Sequence, residues 1–345
     1  MSNRSFKIWL PSLRVGSGAD VFMMRLAQGL ARAGHRPELQ WFPRSYEWKP
    51  WALREIAAPP DTDLIHAGSW QGFAFKRSNI PLVVTEHQYI RHPQFLPHRG
   101  VLQSVYHGMF IRHCVERSYR SADALVAVSE HTAQAMRSDS PQPVRMIHNW
   151  VDTEKFTPSH RSSHEHERPF RLLFVGNPSR WKGADVLSTL AALLGDRFEL
   201  RCLGGLRRAF DTKSMPPSVR LLASVGMDDM PSIYHAADAV LVPTRYEAFG
   251  YVAVEAMACG LPVIGFSSTG TAEVCIHNET ALLAPMDDLK QLAAYARMLA
   301  ADPALCERLG AEGRRRAEAC FGEARAISSY QALYRELIGR GVDRA

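Results

Sequence analysis

At 345 residues, with 46% hydrophobic and 22% charged positions, the chain has the make-up of an ordinary globular protein, long enough for two domains with full cores. Its six cysteines, at 114, 202, 259, 275, 306 and 320, show no C-x-x-C spacing, which argues against a zinc site and a disulfide framework and suits a reducing cytoplasm. The net charge of +6 lies in the first half: residues 1–165 hold 20 Lys and Arg against 14 Asp and Glu (20 − 14 = 6), and residues 166–345 hold 21 of each, so an acidic partner is read there beside the plainer reading of a solvated surface.

The start of the chain runs into Pro11 after a very short apolar stretch, so neither a signal peptide nor a membrane span is expected there, and no later stretch is long enough to cross a bilayer. Runs rich in β-branched and aromatic residues at 6–10, 39–42, 64–67, 82–85, 124–129 and 144–148 predict strands, with helical patterns between most of them, notably at 19–34 and 102–120. A polar stretch at 157–169 then reads as an interdomain linker; its His160, His164 and His166 fit a flexible hinge better than a metal site. A second series follows, with strands at 171–175, 199–203, 239–243, 262–266 and 281–284 and helices starting from Gly183, Asp229, Gly250, Asp287, Pro303 and Glu323. This alternation predicts an α/β protein of two Rossmann-like, doubly wound domains facing across a cleft, with ligands at the carboxyl ends of the strands.

The most informative segment is Tyr246-Glu-Ala-Phe-Gly-Tyr-Val-Ala-Val-Glu-Ala-Met-Ala-Cys-Gly-Leu-Pro-Val-Ile264. A helix should begin just after Gly250 and stop at Cys259, because Gly260 is a good C-terminal cap and Pro262 cannot continue the hydrogen-bond ladder. Val252, Glu255, Ala256 and Cys259 then share one face, and a carboxylate buried among such groups needs a hydrogen-bond partner, a part a ribose diol would fill. Free N–H groups near Phe249, Gly250 and Tyr251, at the positive end of the helix dipole, offer a seat for phosphate oxygens, with Glu247 beside whatever the phosphate carries. The competing reading makes Thr244-x-x-Glu247 a capping box and Glu255 a surface residue; it puts Gly250 inside the helix and Glu255 on the wrong face.

Three features of the first half add candidates. Gly16-Ser-Gly18-Ala-Asp20 lies between a strand and a helix, as a phosphate-approach turn or a plain turn would; the third glycine of a dinucleotide fingerprint is absent. His87 ends a buried strand, where active-site groups of α/β sheets gather, and Glu86 beside it is a candidate for orienting an acceptor. Residues 41–51 carry three of the seven tryptophans among cations; Trp48 and Trp51 look loop-like and suit sugar stacking or an anionic membrane surface, with Arg112, His113, Arg117 and Arg120 nearby in sequence.

In this order and over nearly the whole length, these motifs resemble the family 4 retaining glycosyltransferases of the GT-B fold. The family's paired glutamates match Glu247 and Glu255, and its Glu-Ala-Met-Ala-x-Gly-x-Pro-Val-Ile is similar to residues 255–264. Asn149-Trp-Val-Asp152 followed by Phe156 resembles the junction motif, with Trp150 in place of the usual glycine. Residues 174–183 resemble the Val-Gly-Arg loop with its Lys-Gly end, with Asn177 standing where the arginine usually does.

The resemblance implies an acceptor-binding domain over 1–160, a nucleotide-sugar domain over 161–322 and a helix at 323–345 crossing back to the first domain. It implies that Lys182 binds the donor diphosphate, with Arg180 as second cation or Asn177 as a neutral donor of a hydrogen bond, and that residues 248–252 (Ala248, Phe249, Gly250, Tyr251, Val252) supply the amide seat. Glu247 would then hold sugar hydroxyls, Glu255 the ribose, His87 the transferred sugar, and Gly16 and Gly18 would lie near the donor, with Glu86, Trp48 and Trp51 on the acceptor side. The expected reaction is retaining transfer of a hexose-type sugar from a nucleoside diphosphate to a glycan or lipid-linked acceptor, by front-face attack, in bacterial surface glycan (lipopolysaccharide or polysaccharide) synthesis. No metal and no other cofactor is expected, no nucleic-acid partner, and a cytoplasmic location, at most peripheral on the inner membrane face. The rival readings are an epimerase or sugar-phosphate synthase of the same fold and a non-catalytic binding protein.

Overall fold

The computed structural model describes residues 4–98, 100, 104–140, 142–159, 168–204 and 216–342. The hinge histidines His160, His164 and His166 and the expected helix start at 102 lie outside these residues. The chain divides into two compact units, one of residues 1–149 with 323–345 and the other of residues 150–322, so Asn149 and Trp150 of the junction motif are the last and first residues on either side.

In the first unit, β1 (Lys7–Leu13), α1 (Gly18–Arg32), β2 (Arg36–Phe42), β3 (Leu64–Gly68), β4 (Leu82–Glu86), α2 (Arg112–Ser121), β5 (Ala124–Ala127), α3 (Glu130–Arg137) and β6 (Val144–Met146) build a parallel sheet in the order β2-β1-β3-β4-β5-β6. Every residue of β3, β4 and β5 is buried, as continuous apolar runs covered on both faces require. The helix expected at 102–120 differs in kind: a π-helical segment at Tyr106–Ile111 leads into α2. Helix α3 has no counterpart among the expected elements; Ser129 starts it by accepting a hydrogen bond from the Thr132 amide at 3.1 Å.

The second unit holds β7 (Phe170–Gly176), α4 (Leu187–Leu194), β8 (Phe198–Gly204), β9 (Val219–Leu222), α5 (Met230–His235), β10 (Ala239–Val242), α6 (Tyr251–Ala258), β11 (Val263–Phe266), α7 (Thr269–Val274), β12 (Ala281–Ala284), α8 (Leu289–Ala301) and α9 (Pro303–Phe321), with a parallel sheet in the order β12-β11-β10-β7-β8-β9. Strand β9 and helix α7, both short, are likewise additions to the elements expected from sequence. Trp150, at the position where a glycine is usual, is 1% exposed. Arg314 of α9 donates to the carbonyls of Ala258 (2.7 Å) and Thr153 (2.9 Å), tying the junction segment to the end of α6.

The last helix, α10 (Glu323–Val342), counts with the first unit. Glu323 meets Arg32 in a two-pronged ion pair, Glu336 meets Arg145 at 2.6 Å, and Gly29 of α1 leaves no room for a side chain beside Ile327. Inside the unit, Tyr334 and Thr85 clamp the two nitrogens of His66, each at 2.6 Å.

Candidate functional site

Strand β10 ends at Val242, and the chain then crosses its carboxyl edge as residues 243–250 before entering α6. Among the bonds that fix this crossing, the Glu247 amide donates to Thr269 Oγ1 at 2.7 Å and the Gly270 amide donates to the Glu247 carbonyl at 2.9 Å. Gly250 is the helix N-cap at φ +109°, a left-handed conformation that glycine adopts without strain. No side chain caps the helix, so Thr244 and Glu247 form no capping box, and the first-turn amides have no partner within the helix. These amides and the aligned peptide dipoles make the start of α6 attractive to an anion.

Glu247 stands at this point. Its Cγ lies 3.8 Å from where a Cβ on Gly250 would be, and its Oε2 takes an ion pair from Lys182 Nζ at 2.5 Å, with both side chains about one-fifth exposed (19% and 24%). Lys182 closes the short turn Arg180–Lys182, which Gly183 ends at φ +76°. Arg180 itself is exposed and its side chain makes no hydrogen bond or ion pair among the described residues, whereas Asn177 is half-buried. Ala248 and Phe249 are buried, and Tyr251 and Val252 are half-buried.

Glu255 is 8% exposed, on the inner face of α6 as the spacing required. Its partner is within the protein: the Tyr234 hydroxyl donates to Oε2 at 2.8 Å, so the burial of this carboxylate does not by itself call for a ribose. Two residues of the site carry no signal in the sequence: Tyr234, which lies on the six-residue helix α5, and Thr269, whose unusual φ of +35° places its hydroxyl at the Glu247 amide.

In the first unit, His87 follows β4. Its ring packs on Phe22 at 4.4 Å between centroids, and its Nε2 is enclosed with no hydrogen-bond partner among the described residues. Glu86 is a correction: at 1% exposure, one oxygen accepts from the Tyr119 hydroxyl at 2.8 Å and the other from the Gln88 amide at 3.0 Å, so it braces the strand end and does not face an acceptor. Gly16 takes φ +67°, and the Asp20 carboxylate accepts from the amides of Val15 (3.1 Å) and Gly16 (2.8 Å), filling from within the anion seat that the turn would otherwise offer. Gly18 is exposed at the start of α1.

Trp48 and Trp51 are 64% and 53% exposed, the first just after a 3-10 turn at Arg44–Glu47 and the second within another at Pro50–Glu55, where a loop is expected from sequence. Trp48 packs on Tyr106 (4.4 Å) and Trp51 on Phe110 (6.1 Å), joining the turns to the π-helical segment, whose Met109 is 74% exposed. A surface cavity of about 360 Å³ opens separately between residues 89–93 and α3, lined by Tyr89, Arg91, His92, His131 and Gln134.

The buried titratable groups of the first unit give its stability a pH dependence. Burial, with His87 nearby, pushes His66 down to about 3, and burial pushes His87 down to about 3 as well. Stability from keeping these rings neutral is fully present above the unfolded value near 6.5 and is lost as the pH falls towards 3. Glu86 works in the opposite sense: burial raises it to about 7, so its contribution is greatest below about 4.5 and is lost as the pH rises through 7. Acidification from pH 7 to 4.5 is therefore expected to lower the Tm, Glu86→Gln to make that fall steeper and His66→Gln to make it shallower, as thermal unfolding at the two pH values measures.

Comparison with known proteins adds to this geometry. Residues 156–316 match the family described as Glycosyl transferases group 1, and residues 36–155 match Glycosyltransferase Family 4. D-inositol 3-phosphate glycosyltransferase 1 of Catenulispora acidiphila is 30% identical over 83% of this chain and 75% of its own length. A D-inositol 3-phosphate glycosyltransferase of Salinispora arenicola is 29% identical over 80% and 69%. Among solved structures, sucrose-phosphate synthase from Thermosynechococcus elongatus superposes with a TM-score of 0.83 at 22% identity over 97% of this chain and 100% of its own. Anabaena Alr3699/HepE in complex with UDP-glucose gives 0.75 at 17% identity over 96% and 100%, a likeness of fold.

Proposed function

We infer the reaction from a plain premise: this chain belongs to glycosyltransferase family 4, has that family's fold of two Rossmann-like domains, and is a hexosyltransferase. We propose that it moves a hexose from a nucleoside diphosphate to a hydroxyl of a phosphorylated polyol or saccharide, with retention of configuration. The observation that carries this is the Lys182–Glu247 pair beside the uncapped start of α6.

In the proposed reaction the diphosphate oxygens sit at the amides of Tyr251 and Val252 and draw Lys182 from Glu247, with Arg180 free to swing in as second cation. Glu247, released from its pair, accepts hydrogen bonds from sugar hydroxyls. The acceptor oxygen bonds to the anomeric carbon as the bond from that carbon to the phosphate oxygen breaks, the acceptor's proton passes to the departing phosphate, and preorganised cations and dipoles stabilise the charge that grows on it. His87, neutral at pH 7, is given the role that the family resemblance implies for it, a contact to the transferred sugar through Nε2. Glu255, oriented by the Tyr234 hydroxyl, would accept from the ribose. No divalent metal is invoked, since Lys182 and the helix start supply the positive charge.

The acceptor class rests on the named relatives, two of them acting on D-inositol 3-phosphate by name. That reading favours a small phosphorylated acceptor over the lipid-linked surface glycan, which stays as the second possibility because exposed Trp48, Trp51 and Met109 beside cationic Lys49 and Arg44 suit the surface of an anionic membrane. Incubation with UDP-, GDP- and ADP-glucose and inositol 3-phosphate, with product analysis, tests the reaction: a glycosylated acceptor is expected, and nucleotide-sugar turnover without one would point to an epimerase. Repeating it with vesicles of anionic lipid tests the membrane part, which salt-sensitive co-sedimentation supports and no co-sedimentation dismisses.

A further inference from the structure

One buried cation beside this site has no part in the chemistry just described. Arg245 is 5% exposed, two residues before Glu247. Its Nε donates to Asp287 Oδ1 at 2.7 Å, its Nη1 to Asp185 Oδ1 at 2.8 Å and to the Arg180 carbonyl at 2.5 Å, and its own amide to the Trp181 carbonyl at 2.8 Å. The guanidinium thus ties three segments together: the turn that carries Lys182, the crossing that carries Glu247, and the chain after β12. Gly183 lies so close to the Pro243 carbonyl that no Cβ fits between them, so the same two segments also touch on the other side of Lys182.

We propose that Arg245 is a positioning residue that keeps Lys182 in register with Glu247, and so sets where the cation meets the leaving diphosphate. The inference rests on the reading above that Lys182 contacts the donor. Arg245 does not do so itself: it is enclosed, and its Nε and Nη1 are engaged by two carboxylates and a carbonyl. Its charge is balanced locally by Asp185 and Asp287, both of which reach solvent (40% and 56% exposed), so the cluster adds little net field at the site. What it adds is geometry. A planar fork meets acceptors lying in divergent directions, which the single point charge of lysine does not reproduce.

The test is steady-state kinetics on Arg245→Gln, Arg245→Lys, Lys182→Ala and the double variant Arg245→Gln/Lys182→Ala, with donor and acceptor varied separately and enough enzyme to follow residual rates. Arg245→Gln is expected to lose about 10–100-fold in kcat, the scale of a catalytic group displaced by about 1 Å, with acceptor KM little changed. Arg245→Lys should recover only part of that loss, and in the Lys182→Ala background Arg245→Gln should cost nothing further, because the group it places is gone. Losses that multiply in the double variant, or a wild-type kcat in Arg245→Gln, would overturn the proposal. Should Arg245→Gln fail to fold, Asp185→Asn, which removes one arm of the clamp, carries the same comparison against Lys182→Ala. Full activity in Lys182→Ala alone would instead sink the diphosphate reading.

Discussion

Glu247→Ala is expected to abolish transfer while leaving the fold intact. Glu247 is placed by backbone bonds, from its amide to Thr269 and from Gly270 to its carbonyl, and these survive loss of the side chain. The lost ion pair with Lys182 is partly exposed, and pairs of that kind are worth about 0–1 kcal/mol, so the unfolding midpoint should move little. The rate should respond far more strongly. Removing a preorganised polar contact to the reacting sugar typically costs about 10²–10³ in kcat. Glu247→Gln, which keeps the shape and loses the charge, should fall between the two, since an amide still reaches a hydroxyl but no longer holds Lys182 in wait. Transfer at near wild-type rate in Glu247→Ala, measured beside an unchanged melting curve, would count decisively against the role assigned to this residue.

A second large effect is expected at Gly270, far from obvious as a site residue. A Cβ there would meet the Phe249 carbonyl at 2.7 Å and the Glu247 carbonyl and Phe249 amide at 2.8 Å each, all backbone atoms that cannot rotate away. Gly270→Ala must therefore push residues 247–249 off the start of α7, and overpacking of this sort costs about 1–3 kcal/mol. For a domain of this size each kcal/mol lowers Tm by about 2–4 °C. The displaced segment carries Glu247 and leads into the first turn of α6, so kcat should fall about tenfold or more even at temperatures where the variant is fully folded. Gly339→Ala, where a Cβ meets nothing within 4 Å, is the control and should leave kcat unchanged and Tm no lower, since alanine favours the helix it sits in. Equal Tm and kcat in Gly270→Ala and wild type would mean that the segment has slack, and the rigid-seat description of α6 would have to be abandoned.

Much of the site is legible in the order of residues alone. The limits of α6 follow from Gly250, Gly260 and Pro262, because left-handed caps and a missing amide act locally. The inward face of Glu255 follows from helical spacing. Two short elements are harder: α7 and β9 offer too few positions for a period to show, and β9 has a single buried residue among its four, so no apolar run marks it. The same limit hides Thr269, which α7 brings to Glu247 from 22 residues away in sequence.

Sequence by itself determined the two rounds of strand and helix, the family, and the residue types that can hold a diphosphate and a sugar, since each depends on local periodicity, capping or motif order. Only the tertiary structure decided which polar groups are already spent. Tyr234 satisfies Glu255, Asp20 fills the amide seat of Gly16, Tyr119 and Gln88 claim Glu86, and Arg245 turns inward to clamp the Lys182 turn, while His87 keeps an enclosed nitrogen with no partner among the described residues. The physical reason is that a buried donor or acceptor must be paired at about 1–3 kcal/mol of penalty if it is not, and the partner that pairs it comes from wherever the fold brings a neighbour, at a separation along the chain that no local pattern records.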